Sequence, residues 1–374
     1  MMEIEFHIPD VSGASFDYVF EALNGSLHQG DGKFTKLVTS LLSDFFSSPA
    51  LLTTSCTDAI EIAARFVNYR SNCNIVVPSF TFVSSVLPFV ERGAKLNFVE
   101  ISDSCLNASV DDYISACDDD TVAIVAVHYG GGGTDLTTLR SFCDNHSILL
   151  IEDAAQAYGA SVNGKLFGTF GHFGALSFHG TKIIGCGEGG ALLINDRSYL
   201  DRCLVLREKG TNRTAFINGE VDKYTWKDFG SSHLPSEITA AFLFGNLMDS
   251  QKFIQARNLI WSDYELFFAG HELDYMRFNS TVRVNGHIFA LLFGSETDQK
   301  AFKKECDLIG LGVTSHYIPL HTSPFAAGFW NNKDADLSIT DHVSRSLLRL
   351  PIYPKLNLDL ALQKLGYVCE SFKV

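Results

Sequence analysis

The sequence predicts an α/β fold in which a mostly parallel sheet is flanked by helices. Continuous apolar runs, typical of buried parallel strands, occur at residues 122–127 and 148–151. A segment with apolar residues at helical spacing, 59–67, follows hydroxyl and acidic residues of the kind that cap helices. Because strands alternate with helices, we expect the strands to end at one edge of the sheet, where open α/β sheets bind ligands.

The other elements of the N-terminal part follow from the same two periodicities. Two helices are predicted at its start, separated by a Gly/Asp turn region at 25–32. In chain order we expect helices at 16–23 and 37–46, strands at 74–77 and 95–99, a helix after Phe82, strands at 175–178 and 191–194, and a helix at 238–248.

The C-terminal part is predicted to form a smaller α+β domain. A polar, aromatic-rich helix at 250–269 leads into it, and we expect its strands within 282–293 and at 312–317, with a helix at 295–309. No repeat, low-complexity tract or long linker interrupts the chain. The sequence therefore predicts two closely packed domains, a large one at 1–249 and a small one at 250–374.

Composition and charge exclude several classes of protein. The 374 residues carry a formal net charge of −14 without Lys/Arg clusters, which argues against binding to nucleic acid. Nine scattered cysteines without a C-x-x-C spacing indicate reduced thiols, and the pair His316 and His321 lacks a third ligand, so no metal site is predicted. The N-terminus lacks the features of a signal peptide, and no apolar run is long enough to span a bilayer. We expect a cytoplasmic protein.

A single lysine stands at the end of one predicted strand. Lys182 lies between the apolar run 175–178 and the glycine-rich segment 185–190. Its amine can be a solvated charge, a phosphate ligand, or a nucleophile that forms a Schiff base. The run 148–151 ends in Glu152-Asp153, which brings an acid to the same sheet edge. Pyridoxal phosphate requires this pair, a lysine for its aldehyde and a carboxylate for its pyridine nitrogen.

Further motifs extend the pattern over nearly the whole chain. They are residues 30–35 (GDGKFT), 51–57 (LLTTSCT), 77–83 (VPSFTFV), 127–129 (VHY), 152–156 (EDAAQ), the lysine segment (177–190), 207–213 (REKGTNR) and 316–321 (HYIPLH). In these blocks the chain resembles the sugar aminotransferases of the DegT/DnrJ/EryC1/StrS group, which are fold-type I pyridoxal phosphate enzymes. It is most similar to the TDP-4-oxo-6-deoxy-D-glucose 4-aminotransferases.

The resemblance implies a set of residues that bind pyridoxal 5'-phosphate. Lys182 would hold the cofactor and then move a proton between substrate and cofactor, and Asp153 would pair with the pyridinium nitrogen. At the cofactor phosphate the resemblance implies Cys56, Thr57 and Ser177, and Cys56 replaces the family's glycine. It further implies Phe82 against the ring, Gln156 near the phenolic oxygen, and Ser232 across a dimer interface. Two alternatives remain: residues 55–57 can be an ordinary helix cap, and Phe82 can be a core residue.

The resemblance also implies substrate contacts. The residues implied to bind the nucleotide-sugar are Lys209, Asn212, Arg213, His316 and Tyr317. For the basic run 207–213 a solvated helix end is the alternative, and for the loop 30–32 a tight turn competes with a sugar contact. Many relatives carry an asparagine at the position of Ser232, so its contact with the partner's cofactor phosphate is in question. The expected assembly is a homodimer with shared active sites.

The function implied is transfer of an amino group from L-glutamate to a TDP-linked 4-keto-6-deoxyhexose, which gives a TDP-4-amino-4,6-dideoxyhexose for O-antigen and other surface polysaccharide synthesis. The alternatives are amination at C3 of a TDP-3-keto-6-deoxyhexose and a non-catalytic regulator that binds pyridoxal phosphate. A dehydratase of the same family would carry histidine in place of Lys182. A nicotinamide-dependent oxidoreductase would need a Rossmann fingerprint, and neither glycine run lies in a first βαβ unit with the required acid.

Overall fold

The fold was analysed in a computed structural model that describes residues 3–372, so Met1, Met2, Lys373 and Val374 lie outside it. The helices are α1 (Gly13–Asn24), α2 (Lys33–Phe46), α3 (Cys56–Ala64), α4 (Leu87–Val90), α5 (Val110–Ser115), α6 (Thr137–His146), α7 (Leu200–Arg207), α8 (Arg213–Ile217), α9 (Glu237–Met248), α10 (Ser250–Phe268), α11 (Glu296–Leu308), α12 (Ser338–Ser346) and α13 (Leu358–Phe372). Each helix predicted from periodicity is present with shifted ends.

Seven strands form the central sheet. The strands of the chain are β1 (Ala50–Thr53), β2 (Asn74–Pro78), β3 (Lys95–Val99), β4 (Thr121–Val127), β5 (Leu149–Asp153), β6 (Ser161–Val162), β7 (Lys165–Leu166), β8 (Phe173–Ser177), β9 (Gly190–Ile194), β10 (Asp274–Tyr275), β11 (Val282–Arg283), β12 (Ala290–Leu292) and β13 (Leu347–Arg349). The central sheet has the order β1-β9-β8-β5-β4-β2-β3. It is parallel from β8 to β3, and only β9 is antiparallel to its neighbours. The predicted α/β fold with a mostly parallel sheet is confirmed.

Helices cover both faces of this sheet because its strands are buried on both sides. On one face α2 and α9 contribute residues such as Val38, Leu42 and Leu243 to a core against β4, β5 and β8. On the other face α3 packs Ile60 and Ile62 against the opposite side of the same strands. The parallel strands thus have nearly continuous apolar sequences, as expected where no face meets water.

Helix α2 begins where a distant carboxylate caps it. The buried Glu237, at the start of α9, accepts hydrogen bonds from the N–H groups of Gly32 (3.0 Å), Phe34 (2.7 Å) and Thr35 (3.0 Å). A carboxylate satisfies the free N–H groups of a helix N-terminus and interacts favourably with the helix dipole. This contact fixes the turn before α2 against α9.

The C-terminal part contains a second, three-stranded sheet of order β10-β12-β13, with its own core that includes Phe289, Leu291 and Leu348. The predicted strand at 312–317 is wrong. Thr314 forms only an isolated bridge to Arg349, and the rings of His316 and Tyr317 stack on one another instead of alternating across a strand. Strand β11, within the predicted 282–293 region, pairs with β6 in a separate small sheet. The domain division at 249/250 stays a prediction, and only Asp249 separates α9 from α10.

None of the helices in residues 3–372 combines the length and the apolar character that a membrane span requires.

Candidate active site

A cavity of about 530 Å³ opens at the C-terminal edge of the central sheet. Asp153 and Ser177, the last residues of β5 and β8, line its floor, together with the start of α3. The C-terminal part of the chain supplies His287, His316 and Arg349 to the opposite wall. Residues far apart in the sequence thus converge on one space, at the sheet edge where the sequence predicts a ligand site.

Lys182 lies in a tightly folded segment after β8 and lines the cavity. Backbone hydrogen bonds close this segment on itself: the Gly180 N–H donates to the Gly187 carbonyl (2.8 Å), and the Phe178 N–H to the Gly189 carbonyl (2.8 Å). Gly187 has a φ of 85°, a conformation that glycine adopts without strain. Within residues 3–372 no carboxylate forms an ion pair with the Lys182 amine. Burial lowers the pKa of this amine, while the charge of Asp153 opposes that shift.

Asp153 is held in one orientation at the cavity floor. The Ser85 hydroxyl donates to Oδ2 at 2.6 Å, and the Ala155 N–H donates to Oδ1 at 3.1 Å. The preceding residue, Glu152, points to the opposite side of the strand, where its carboxylate accepts hydrogen bonds from the N–H groups of Gly168 and Gly171. Strand alternation thus separates the two acids, and Asp153 is the one that faces Lys182 across the cavity.

The N-terminus of α3 forms a second part of the floor. Ser55 caps the helix by accepting a hydrogen bond from the Asp58 N–H (3.0 Å), and Cys56 and Thr57 are the first two helical residues. N–H groups at these positions have no partner within a helix, so they are available to an anion. Gly190 packs so closely here that a Cβ atom would lie 2.4 Å from the Cys56 nitrogen.

Cys56 occupies the position of the family's glycine without strained backbone, since its φ is not positive. Burial raises the pKa of its thiol, which therefore stays uncharged beside the free N–H groups. The Thr57 hydroxyl donates to Ser84 Oγ at 2.8 Å. Nearby, Asp58, Glu61 and His233 are close enough together to hold a metal ion. Asp58 is already bound by Thr54, Ser55 and His233, so we assign this group a structural role.

Aromatic and amide side chains line the cavity walls. Phe82 is 56% exposed and its ring lies 6.3 Å from that of Tyr317, which rules out the core position considered for it. Gln156 accepts a hydrogen bond from the Gly130 N–H (2.7 Å) and donates one to the Tyr317 hydroxyl (3.1 Å). This bridge ties the loop after β5 to the C-terminal wall of the cavity.

His316 and Tyr317 form a stacked pair with ring centroids 4.1 Å apart. Burial, with the positive charges of Arg349 and Lys182, lowers the pKa of His316 to about 2, so its ring is neutral at physiological pH. Burial raises the pKa of Tyr317 to about 12. The Tyr129 hydroxyl lies 3.2 Å from His316 Nδ1. This wall therefore presents neutral hydrogen-bonding groups.

Four predicted site residues lie outside the cavity as it is formed by one chain: Ser232, Lys209, Asn212 and Arg213. The exposed Ser232 forms an isolated backbone bridge to Glu208, and Asn212 accepts a hydrogen bond from the Thr225 N–H. Arg213 forms ion pairs with Asp31 (3.0 Å) and Glu208 (3.3 Å), so it is not the solvated helix end that was considered. The binding roles of these four residues stay predictions.

Sequence reasoning missed several cavity residues, among them Phe6, His7, His287 and Arg349. Phe6 and His7 come from the N-terminal arm, and His7 Nε2 lies 3.0 Å from the Gly180 carbonyl beside Lys182. In the C-terminal sheet, His287 lies shortly before β12, and Arg349 is the last residue of β13. No local motif marks these residues, because only the packing of the two sheets brings them to the site.

The cavity fits pyridoxal phosphate on three structural observations. The start of α3 offers free N–H groups to a phosphate, and Gly190 allows β9 to pack against the backbone of Ser55 and Cys56 there. An oriented carboxylate, Asp153, and an amine without a counter-ion, Lys182, line the same space.

The sequence profile of the DegT/DnrJ/EryC1/StrS aminotransferase family matches residues 10–372. The chain is 32% identical to GDP-perosamine synthase of Vibrio cholerae over 269 residues, 71% of each protein. It is 28% identical to dTDP-3-amino-3,4,6-trideoxy-alpha-D-glucose transaminase of Streptomyces venezuelae, over 84% of this chain and 80% of that one. Among solved structures, the aminotransferase PseC of Helicobacter pylori, involved in pseudaminic acid biosynthesis, superposes with a TM-score of 0.90 at 22% identity, covering 99% of this chain and 100% of that one. The chain therefore belongs to the DegT/DnrJ/EryC1/StrS aminotransferase family.

Proposed function

We propose that this sugar aminotransferase, which uses pyridoxal phosphate, transfers the amino group of L-glutamate to a TDP-linked 4-keto-6-deoxyhexose. The product is a TDP-4-amino-4,6-dideoxyhexose for surface polysaccharide synthesis. The observation that carries the proposal is that the Lys182 amine and the oriented Asp153 carboxylate line one cavity. Because the chain belongs to a family of aminotransferases, the non-catalytic regulator is set aside.

The cofactor-binding roles follow from the chemistry of the cavity floor. Pyridoxal phosphate, when bound, draws electrons from the reacting carbon and carries the amino group between the two substrates. Asp153, whose orientation is fixed by Ser85, would keep the pyridine nitrogen protonated. Cys56, Thr57 and Ser177 would bind the phosphate, Phe82 would pack against the ring, and Gln156 would bind near the phenolic oxygen.

Lys182 moves the proton. With the cofactor bound, its amine would accept the proton from the reacting carbon of the amino donor and would donate a proton to the reacting carbon of the sugar. Burial supports this role, because it lowers the pKa of the amine and so increases the fraction that is free to accept a proton.

A homodimer with shared sites supplies the remaining contacts. Exposed apolar residues at helical spacing, Phe16, Phe20 and Leu23, form one face of α1, and a surface of this kind is typical of an interface. In this arrangement Ser232 reaches the partner's site, and Lys209, Asn212 and Arg213 bind the nucleotide-sugar. His316 and Tyr317 contact the sugar within their own chain, as neutral hydrogen-bonding groups suit hydroxyls.

The nucleotide and the position of amination are the finer parts of the proposal. They rest on the motifs shared with the TDP-4-oxo-6-deoxy-D-glucose 4-aminotransferases. The names of the two relatives indicate a GDP-linked product and amination at C3, and these are the alternatives that the experiment must separate.

The test is a product analysis with three keto-sugars and a control without sugar. The purified enzyme is incubated with pyridoxal phosphate, L-glutamate and, in turn, TDP-4-oxo-6-deoxy-D-glucose, its GDP-linked counterpart, a TDP-linked 3-keto-6-deoxyhexose, and no sugar. NMR then gives the position and configuration of the new amine. We expect a 4-amino product from the first substrate at the highest kcat/KM. Faster turnover of the GDP-linked or the 3-keto sugar would overturn the corresponding part of the proposal.

A further inference from the structure

Arg349 is a cationic side chain of the cavity wall without a counter-ion. It ends β13, and its backbone exchanges two hydrogen bonds with Thr314, at 2.7 and 3.2 Å. Its guanidinium carbon lies 4.8 Å from the centre of the Phe6 ring. Its Nε is buried and has no hydrogen-bond partner, and none of the carboxylates in residues 3–372 lies within ion-pair distance.

The two arginines that are fully buried within residues 3–372, Arg257 and Arg207, are paired, whereas Arg349 is half-buried. Arg257 lies 3.3 Å from Asp10 and donates to the Ile352 carbonyl at 2.7 Å, and Arg207 lies 2.9 Å from Asp31. A desolvated charge without a partner is unfavourable, so proteins rarely keep one unless a ligand supplies the opposite charge. Arg349 therefore differs from these arginines in the one respect that indicates an anionic ligand.

The surroundings of Arg349 contain no protein group that could neutralise it. Tyr129, Tyr317 and His316 are its polar neighbours, and all three are uncharged at neutral pH. Lys182 adds a second positive charge to the same cavity, and the two cations lower the pKa of His316 together with burial. Both amine and guanidinium thus face the space that the substrates enter.

We propose that Arg349 binds the α-carboxylate of the amino donor. This inference rests on the proposed function. The α-carboxylate is attached directly to the carbon from which Lys182 removes a proton, so it must lie in the same cavity as the Lys182 amine. The diphosphate of a nucleotide-sugar is attached at C1, several bonds from a reacting C4. A guanidinium offers two parallel N–H donors that match the two oxygens of a carboxylate.

The N-terminal arm positions this guanidinium. The guanidinium lies over the Phe6 ring, and this cation–π contact restricts where the side chain can move. The next residue, His7, is bound to the Gly180 carbonyl in the lysine segment at 3.0 Å. The arm thus connects the donor-binding arginine to the loop that carries Lys182. Phe6 is a positioning residue in this proposal.

The test separates the two half-reactions of the enzyme. The first uses L-glutamate alone, and the second uses the aminated enzyme with the keto-sugar, each followed by the absorbance of the cofactor. For Arg349→Gln we expect the KM for L-glutamate to rise roughly 100-fold, the equivalent of one lost charge-assisted bidentate contact. Arg349→Lys keeps the charge but loses the fork, and we expect a rise of roughly 10-fold. The sugar half-reaction should change less than about 3-fold in both variants.

A binding measurement checks the same point without turnover. Glutarate carries carboxylates but no amino group, and its binding to the holoenzyme is measured by titration calorimetry. We expect Arg349→Gln to abolish this binding, while Arg345→Gln, an exposed arginine of α12 outside the cavity, leaves it unchanged. Phe6→Leu should raise the KM for L-glutamate and leave the kcat of the donor half-reaction near the wild-type value.

Two results would overturn the inference. One is an unchanged KM for L-glutamate with unchanged glutarate binding in Arg349→Gln. The other is a loss confined to the sugar half-reaction, which would assign the guanidinium to the nucleotide-sugar. Failure of the proposed function is distinguishable, because a wild-type enzyme that reacts with L-glutamate but with none of the keto-sugars refutes the sugar substrate and still allows the donor test.

Discussion

Two groups of basic side chains in this molecule differ in how their charges are compensated. In the first group Arg207, only 4% exposed, and Arg213 share the carboxylate of Asp31. In the second group Lys182 and Arg349 line the cavity without a carboxylate at ion-pair distance. The arginines of the first group belong to the motif 207–213, whose basic residues are typical of phosphate binding, whereas Arg349 belongs to none of the motifs identified in the sequence.

The difference teaches that charge compensation, and not local clustering of basic residues, marks the cations that are free to bind a ligand. Asp31 adopts a left-handed backbone with a φ of 69° in the turn 30–32, which aims its carboxylate at both arginines. Asp31 thereby compensates the charge of both arginines, although the Nε of Arg207 is buried without a hydrogen-bond partner. Arg349 lines the cavity and, within residues 3–372, has no carboxylate at ion-pair distance, so a ligand can compensate its charge.

Lys182→Ala removes one of the two cations without a counter-ion and has the largest expected effect, which is on activity. Loss of the amine removes the group that we propose moves the proton, so we expect transamination to fall by more than about 10³-fold. The visible absorbance expected of a lysine-bound cofactor should also be absent, while the melting temperature stays near the wild-type value. Lys304→Ala, on the exposed face of α11, serves as the control. Retained turnover in Lys182→Ala would refute the mechanism.

Asp153→Asn tests the acid that faces Lys182. An amide cannot keep the pyridine nitrogen protonated, so the electrostatic stabilisation of the reacting carbon is lost and kcat should fall by roughly 10²–10³-fold. The Ser85 hydroxyl can still donate to the amide oxygen, so the side chain keeps its orientation. Steady-state kinetics with saturating L-glutamate measures the change. A kcat within a few-fold of wild type would show that Asp153 does not contact the ring.

Opposite effects on stability are expected when one member of each group is neutralised. Asp31→Asn tolerates the left-handed backbone but leaves the buried Arg207 without a counter-ion, and we expect a loss of about 2–3 kcal/mol in the free energy of unfolding. Arg349→Met removes a charge that is desolvated and unpaired in the absence of substrate, so stability should be unchanged or slightly higher.

Urea-induced unfolding at one fixed protein concentration measures both variants against wild type, because the stability of an oligomer depends on concentration. A loss of similar size in both variants would show that Arg349 is compensated within the protein. That result would remove the basis for assigning it a ligand.

The parts of the fold and site that the sequence predicts are those with a local signal. The apolar runs before Asp153 and Lys182 identify two strand ends, and parallel strands bring their ends to one edge. The hydroxyl-rich start of α3 likewise identifies the N–H groups at Cys56 and Thr57. For these residues, the periodicity and the chemistry of the local sequence are enough to predict where they lie in the fold.

The parts that the sequence did not predict depend on packing between distant segments. Glu237 caps α2 across more than half of the large domain, and Phe6 meets Arg349 from the opposite end of the chain. The segment 312–317 has the composition of a strand, but it pairs at single residues because its aromatic side chains turn together into the cavity wall. Tertiary contacts decide each of these cases, and no local pattern reports them.

The smallest effect is expected from a fall in pH, and it is a change in stability that arises from the neutral ring of His316. The pKa of His316 is lowered from 6.5 to about 2, so below pH 6.5 the unfolded chain takes up a proton at this residue and the folded chain does not. Stability from this group is therefore complete above pH 6.5 and declines as the pH falls, by less than about 1.4 kcal/mol per pH unit. Comparison of unfolding free energies at pH 7 and pH 5 should show a smaller decline in His316→Gln than in wild type, and an unchanged decline in the exposed control His342→Gln. Equal declines in wild type and His316→Gln would mean that the ring is charged in the folded protein, and then Lys182 and Arg349 would not dominate the field of the cavity.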